Sequence, residues 1–306
     1  MNIPVAFFAY NRPFHTYRTL KYLSLNKEAI STDIYAFIDG KKKNSEIHLI
    51  NNVEKIINSF LPNFRNIEIH RSHENLSCGI NIKNGVTKVL RNYESVIVLE
   101  DDIIVSEFFL SYMNRALNLY KNEKEVWHIN GFNFPIKNNS ELDCFFSRLM
   151  QCWGWATWSD RWNQFIEDPL ASDPYFLMEI FNKSMIKKLN FDLKKNLFWS
   201  QVEENANGKL NNTWAIFWYC FIFRNNGLCL TPKISLTRNV GHDGSGIHST
   251  FDRELLSSQI KDNEIINFPN FKQEDYYSLN LIRKYLKKKN SFLSKIKRKF
   301  NLFFEL

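Results

Sequence analysis

The sequence lacks any apolar run near the roughly 18–20 residues that a membrane-spanning helix needs. Its start, "MNIPVAFFAYNRP", holds too short an apolar stretch, with no basic lead-in, for a secretory signal. Cysteine is sparse: Cys78, Cys144, Cys152, Cys220 and Cys229 are odd in number, scattered, and form no CxxC pair. That argues against a zinc site or a disulfide framework and for a reducing, cytoplasmic setting. No internal repeat is seen.

What is there describes an ordinary folded chain. With 306 residues, 44% of them apolar and 24% charged, it can bury a sizeable core in one large domain or two smaller ones. The net charge of +8 is local. Residues 283–306 carry nine Lys/Arg against one Glu, and the remainder balances at 31 of each sign. A uniformly basic nucleic-acid binder is therefore excluded.

The apolar pattern predicts strands at 3–10, 33–40, 66–72, 95–100 and 126–131. Helices are predicted between them at 16–25, 46–60 and 80–92, and after Ser106, a candidate cap. This alternation predicts a mostly parallel α/β sheet with helices on both faces. Beyond residue 140 the text changes. "CFFSRLMQCWGWATWSDRWNQF" is aromatic-rich, 175–198 reads as helix, "TWAIFWYCFIFRNNG" as an apolar helix ended by Gly227, and "LCLTPKISLTRNVG" as a strand or hairpin. The second half reads as an elaboration of the same domain.

Ligands bind at the carboxyl ends of strands in such sheets. Asn11, Asp39 and the triplet Glu100-Asp101-Asp102, within "IVLEDDIIV", all fall there. Three adjacent carboxylates repel one another. They suit a solvated loop, a hard divalent cation such as Mn²⁺ or Mg²⁺ completed by substrate phosphates, or ribose hydroxyls.

"VIVLEDDIIVSEFFLSYM" resembles the strand, acidic metal motif and following helix of GT-A fold (Rossmann-like) glycosyltransferases. Its Glu-Asp-Asp form is similar to the N-acetylglucosaminyltransferase I family and to bacterial sugar transferases of lipopolysaccharide and capsule synthesis. "FAYNRP", "CWGWATW", "NNTWAIFWY", "GLCLTPKISLTRNVG" and "DGSGIH" extend the likeness, in order, over residues 3–252. The resemblance implies a metal-dependent transferase, with a UDP-sugar the favoured donor and a saccharide or lipid-linked acceptor. It implies Asp102 as the metal ligand, with Glu100 and Asp101 on the ribose or on metal-bound water. Tyr10, Asn11 and Arg12 would lie along the base, and Asp39 would contact the base or ribose. His248, with His242 as substitute, would complete the metal or diphosphate site, and Gly241, Gly244 and Gly246 would let that loop close. Trp153, Gly154 and Trp155 are candidates for stacking on a sugar, against the alternative of core packing.

In the family, paired aspartates at the start of a late helix supply the catalytic base, and "NNTWAIFW" has none. Glu204 and Asp243 are the candidates in their place, with Glu203 nearby; a retaining mechanism stays open. The expected layout is a domain over 1–275, its 1–135 half binding the nucleotide-sugar and its 136–275 half facing the acceptor. A basic amphipathic tail, 276–306, would contact the anionic inner face of the cytoplasmic membrane. Two rivals remain: a non-catalytic carbohydrate-binding or scaffold protein, and a sugar nucleotidyltransferase. The latter class carries a glycine-rich phosphate loop after the first strand, where "FAYNRPFHTYRTL" has no glycine.

Overall fold

The computed structural model describes residues 2–193, 197–210, 213–241 and 259–289. The first hundred residues supply four strands, β1 (Val5–Ala9), β2 (Asp33–Ile38), β3 (Asn66–Arg71) and β4 (Ser95–Glu100), paired in parallel in the order β3-β2-β1-β4. Alternate side chains leave a strand on opposite faces. Val5, Phe7 and Ala9 enter one core cluster, while Ala6 and Phe8 enter the other. Burial on both sides is why β1 and β4 read as unbroken apolar runs.

The first cluster is closed by α1 (Pro13–Ser24), α2 (Ile47–Ser59) and α4 (Phe109–Leu119), which bring Leu20, Leu23, Ile50, Val53, Ile57 and Met113. The second is closed by α3 (Cys78–Leu90) with Ile82 and Val86, by α5 (Ser159–Glu167) with Trp162 and Phe165, and by later helices. Each fully buried side chain of this kind contributes about 1.5–3 kcal/mol. The two clusters therefore fix where the strand ends lie.

The second half adds β6 (Val126–Asn130), β7 (Cys144–Ser147), β8 (Trp155–Trp158) and β9 (Leu228–Pro232), extending the sheet as β4-β8-β6-β9-β7. β8 runs antiparallel to both its neighbours, and β9 is parallel to β6. The whole is the mostly parallel, helix-flanked α/β sheet expected from the alternation and from the GT-A resemblance. A separate antiparallel pair joins β5 (Ile103–Val105) to β10 (Thr237–Asn239).

Several boundaries differ from expectation. The helix expected over 16–25 starts earlier, with Pro13 as the first residue of α1, since proline at the first helical position sacrifices no hydrogen bond. Ser106 stands ahead of α4 without capping it; its hydroxyl accepts from the Phe108 amide at 3.1 Å and donates to the Lys261 carbonyl at 2.7 Å. The 175–198 region is not one helix. It holds α6 (Pro174–Ile180) and α7 (Lys183–Leu189), capped by the Asp173 and Asn182 side chains, and ends in the left-handed residues Phe191 and Asp192. After these come α8 (Trp199–Ala206) and the apolar α9 (Ala215–Arg224). The segment after Gly227, read as a strand or hairpin, holds two strands, β9 and β10, one in each sheet. The basic C-terminal segment begins as a packed helix, α10 (Tyr276–Lys289), with Ser278, Ile282 and Leu286 buried.

Candidate functional site

Register brings the strand ends together. Ala9 lies opposite Ile38 and Phe8 opposite Glu100, so Tyr10–Arg12, Asp39 and the acidic triplet share one carboxyl edge. Glu100 ends β4, and Asp101 and Asp102 form the turn into β5. The backbone of that turn is pinned twice. Thr19 Oγ1 donates to the Asp101 carbonyl at 2.6 Å, and the Val240 amide donates to the Asp102 carbonyl at 2.8 Å.

The Arg12 guanidinium pairs with the Asp101 carboxylate and donates to Asp102 Oδ2 at 3.1 Å. Arg12, expected along a base, is here turned onto the acidic turn. Asp101 is 2% exposed, and a buried carboxylate needs a counter-charge. Even so, Asp101 Oδ2 has no hydrogen-bond partner among the described residues. Burial pushes the Asp101 carboxyl up to about 6, with Arg12 pulling the other way. Burial, then the charge of Asp102, pushes Glu100 up to about 8. Burial also works against the Arg12 charge, but Asp101 and Asp102 outweigh it and hold the guanidinium protonated above its ordinary range.

Two cysteines border the triplet. Cys78 Sγ donates to Glu100 Oε2 at 3.4 Å, and burial followed by Glu100 raises the Cys78 thiol well above its ordinary value and Cys152 to about 12. Neither is a ready thiolate.

Tyr10 and Asn11 are held by Glu46, a residue the sequence reading passed over within a polar loop. Tyr10 Oη donates to Glu46 at 2.7 Å and Asn11 Nδ2 at 3.1 Å, and the same carboxylate accepts from the Lys42 and Lys43 amides. Burial and Glu46 push the Tyr10 phenol up to about 12. Asp39 is 5% exposed, and its carboxylate accepts from the Gly40 and Leu76 amides at 2.8 Å and from Asn75 Nδ2 at 3.1 Å. Its oxygens thus anchor the loop ahead of α3. Turn formation, which this residue type favours, accounts for these bonds.

On the other side of the triplet, Gly154 has φ +72°, and a Cβ there would stand 2.8 Å from Thr237 Cγ2, so glycine is required. Trp153 is half-buried, edge-on to Phe132 at 4.5 Å. Trp155 is a correction. It is fully buried, stacked between His128 and Trp214, and presents no face to a sugar. Large rings at the sheet centre pack into the core because that buries the most area. Gly241 stands against the triplet: a Cβ there would lie 2.3 Å from Asp102 Oδ2. His242, Asp243, Gly244, Gly246 and His248 lie outside the described residues. Glu204 sits on α8, which packs against α6 and α9, and its carbonyl accepts from the Lys209 amide at 2.9 Å.

The donor chemistry of the triplet fits a hard divalent cation: carboxylate oxygens only, mutually repelling, with one buried oxygen orphaned. Among the described residues no group of three or more His, Cys, Asp or Glu side chains is placed to hold a metal ion.

A scan of protein-family models finds no match to the chain, and a search of curated proteins finds none. Solved structures do match. One is S. aureus TarS 1-349 in complex with UDP, at 12% identity and TM-score 0.38, covering 56% of this chain and 49% of that one. Against the S. aureus TarS structure the identity is 11% and the TM-score 0.37, over 56% of this chain and 30% of that one. The chain thus spans less than half the length of either TarS chain. Another is the mannosyltransferase PcManGT from Pyrobaculum calidifontis in complex with GDP-Man and Mn²⁺, at 10% identity and TM-score 0.38, covering 72% of this chain and 73% of that one.

Proposed function

We propose that this chain is a metal-dependent, inverting glycosyltransferase that moves a sugar from a nucleotide-sugar donor, UDP-linked by preference, to a saccharide or lipid-linked acceptor in bacterial surface polysaccharide synthesis. The observation that carries the reading is the convergence at one sheet edge of Tyr10, Asn11 and Arg12, just after β1, with the pinned triplet after β4, which Gly241 faces.

In this reading residues 1–135 serve the donor and 136–275 the acceptor. Tyr10 and Asn11, oriented by Glu46, line the nucleoside. Asp102 holds the divalent ion, with Glu100 and Asp101 beside it and His248 as a further ligand. When bound, the ion supplies positive charge for the leaving diphosphate. Gly241 keeps side-chain bulk away from Asp102, leaving that carboxylate open to the diphosphate. Trp153 borders the sugar, and Glu204 or Asp243 takes the proton from the acceptor hydroxyl. The outer face of α10 and the residues after it contact the anionic inner face of the cytoplasmic membrane.

Asp102→Ala is expected to abolish Mn²⁺-dependent release of nucleoside diphosphate from the donor while the melting temperature stays near that of the parent. Retained metal-dependent turnover would sink the assignment. The donor itself is found by a thermal-shift screen of UDP-, GDP-, CMP- and dTDP-sugars with and without Mn²⁺, since a ligand that binds only the folded state raises its melting temperature. One observation favours a second reading, a non-catalytic sugar-binding protein: the first turn of α9 carries no acidic residue. Donor binding without hydrolysis or transfer to any acceptor would select it.

A further inference from the structure

The acidic turn already contains a cation. Arg12 Nη2 touches both Asp101 and Asp102, and the two carboxylates differ in what they offer solvent. The Asp101 side chain is 4% exposed and that of Asp102 16%. An ion arriving from solvent therefore meets Asp102, on the carboxylate where Arg12 sits. The Arg12 side chain is itself 24% exposed, the most open of the three. It precedes the first helical residue, Pro13, and its side chain caps nothing, so its departure breaks no helix hydrogen bond. The backbone of the turn is held in place as Arg12 leaves, because the Asp101 carbonyl accepts from Thr19 and the Asp102 carbonyl from the Val240 amide.

Resting on the donor-site reading above, we propose that Arg12 is a resident counter-ion of the acidic turn, one that a divalent cation must displace from Asp102. The orphaned oxygen of Asp101 supports this. One guanidinium serves two carboxylates and leaves buried acceptor capacity unused, an arrangement suited to a charge that is exchanged. Charges at contact distance and out of bulk water interact far more strongly than exposed ones. Arg12 thus weakens the site for the bare ion. An ion arriving with a diphosphate brings negative charge for the freed guanidinium to meet. Metal and donor are therefore expected to bind together, and metal alone poorly.

Calorimetric titration of the full chain with Mn²⁺ alone, then with UDP at saturating Mn²⁺, tests this in the parent, Arg12→Gln, Arg12→Lys and Asp102→Asn. Arg12→Gln is expected to bind Mn²⁺ alone about tenfold or more tightly than the parent, because a unit charge leaves the site. It is also expected to bind UDP more weakly. Arg12→Lys keeps the charge and is expected to bind Mn²⁺ alone about as poorly as the parent. A merely structural arginine would weaken both ligands together. Unchanged or weaker Mn²⁺ binding in a folded Arg12→Gln, with Asp102→Asn still abolishing it, overturns the counter-ion assignment and leaves the donor site standing. Absence of Mn²⁺ and UDP binding in every protein, the parent included, overturns both.

Discussion

His128 shows how a single side chain is fixed by its surroundings. Trp218 Nε1, a donor only, points at His128 Nδ1 at 3.2 Å, and the Gln151 carbonyl, an acceptor only, lies 3.0 Å from Nε2. The proton therefore sits on Nε2, and a second one on Nδ1 would break the Trp218 bond. Burial lowers the imidazole from 6.5 to about 3. Its folded value lies below its unfolded one, so the unfolded chain binds the extra proton. The stability it protects is complete above about pH 6.5 and is lost on acidification toward pH 3, at about 1.4 kcal/mol per pH unit. Between pH 6.5 and 5 this predicts a loss of about 2 kcal/mol from this residue. Urea denaturation at the two pH values should show that much less acid sensitivity in His128→Phe, although the variant starts less stable with Trp218 unpartnered. Equal pH slopes would mean that His128 takes up its proton in the folded state. The neighbouring Trp155, a fair sugar-binding candidate on sequence, belongs to this same buried stack. Residue type alone does not separate a core ring from a binding ring.

At the scale of elements, α3 makes the sharpest test of packing. Its Gly85 lies over the stacked pair Phe8 and Phe37, whose ring centroids are 5.1 Å apart. Glycine inside a helix costs about 1 kcal/mol relative to alanine, so propensity alone predicts that Gly85→Ala stabilises. A Cβ there would stand 2.5 Å from Phe8 Cε1 and 2.9 Å from Phe37 Cδ2, both on rings held by the sheet. Overpacking of this kind costs about 1–3 kcal/mol and wins. The expected outcome is a net loss of stability in equilibrium denaturation; a gain would show that α3 can lift off the sheet freely. Elements whose whole face is buried were legible in the sequence. β1, β2, β4 and β6 advertise themselves through apolar runs, and α2 through Ile50, Val53 and Ile57. Elements decided by caps and left-handed residues were not. Periodicity sees one helix over 175–198, where Asn182 starts a new one and the Asn190 side chain gathers the Leu197, Phe198 and Trp199 amides. The site divides the same way. Asn11, Asp39 and the triplet lie together at the strand ends, where the alternation put them. Glu46 and the pairing of Arg12 with Asp101 depend on loops meeting across 35 and 89 residues, which no local pattern encodes.

At the scale of the whole molecule, the charge excess at the C-terminal end meets a folded surface. Helix α10 contains no acidic residue, and its buried face of Ser278, Ile282 and Leu286 leaves Tyr276, Tyr277, Lys284, Lys287 and Lys288 outward. Tyr276 and Tyr277 are 76% and 51% exposed, and Phe271 just before them is 79% exposed. Arg283 is not part of this face, because it pairs with Asp192 and donates to the Phe191 carbonyl at 2.9 Å. Among the described residues no helix is long and apolar enough to cross a membrane. Lysines beside exposed rings suit an anionic interface, where each basic residue contributes about 1 kcal/mol and rings settle at headgroup level. Removing three charges with Lys284→Gln, Lys287→Gln and Lys288→Gln is then expected to lower partitioning onto phosphatidylglycerol-containing vesicles about 100-fold in a sedimentation assay at low salt. Binding of the parent should weaken as salt rises and be poor on phosphatidylcholine alone, since screening acts within about 10 Å at 0.1 M. The substitutions lie on the exposed face, so melting temperature and donor binding should not change. Equal binding of parent and triple variant, or equal binding to neutral and anionic vesicles, would take the membrane role away from α10.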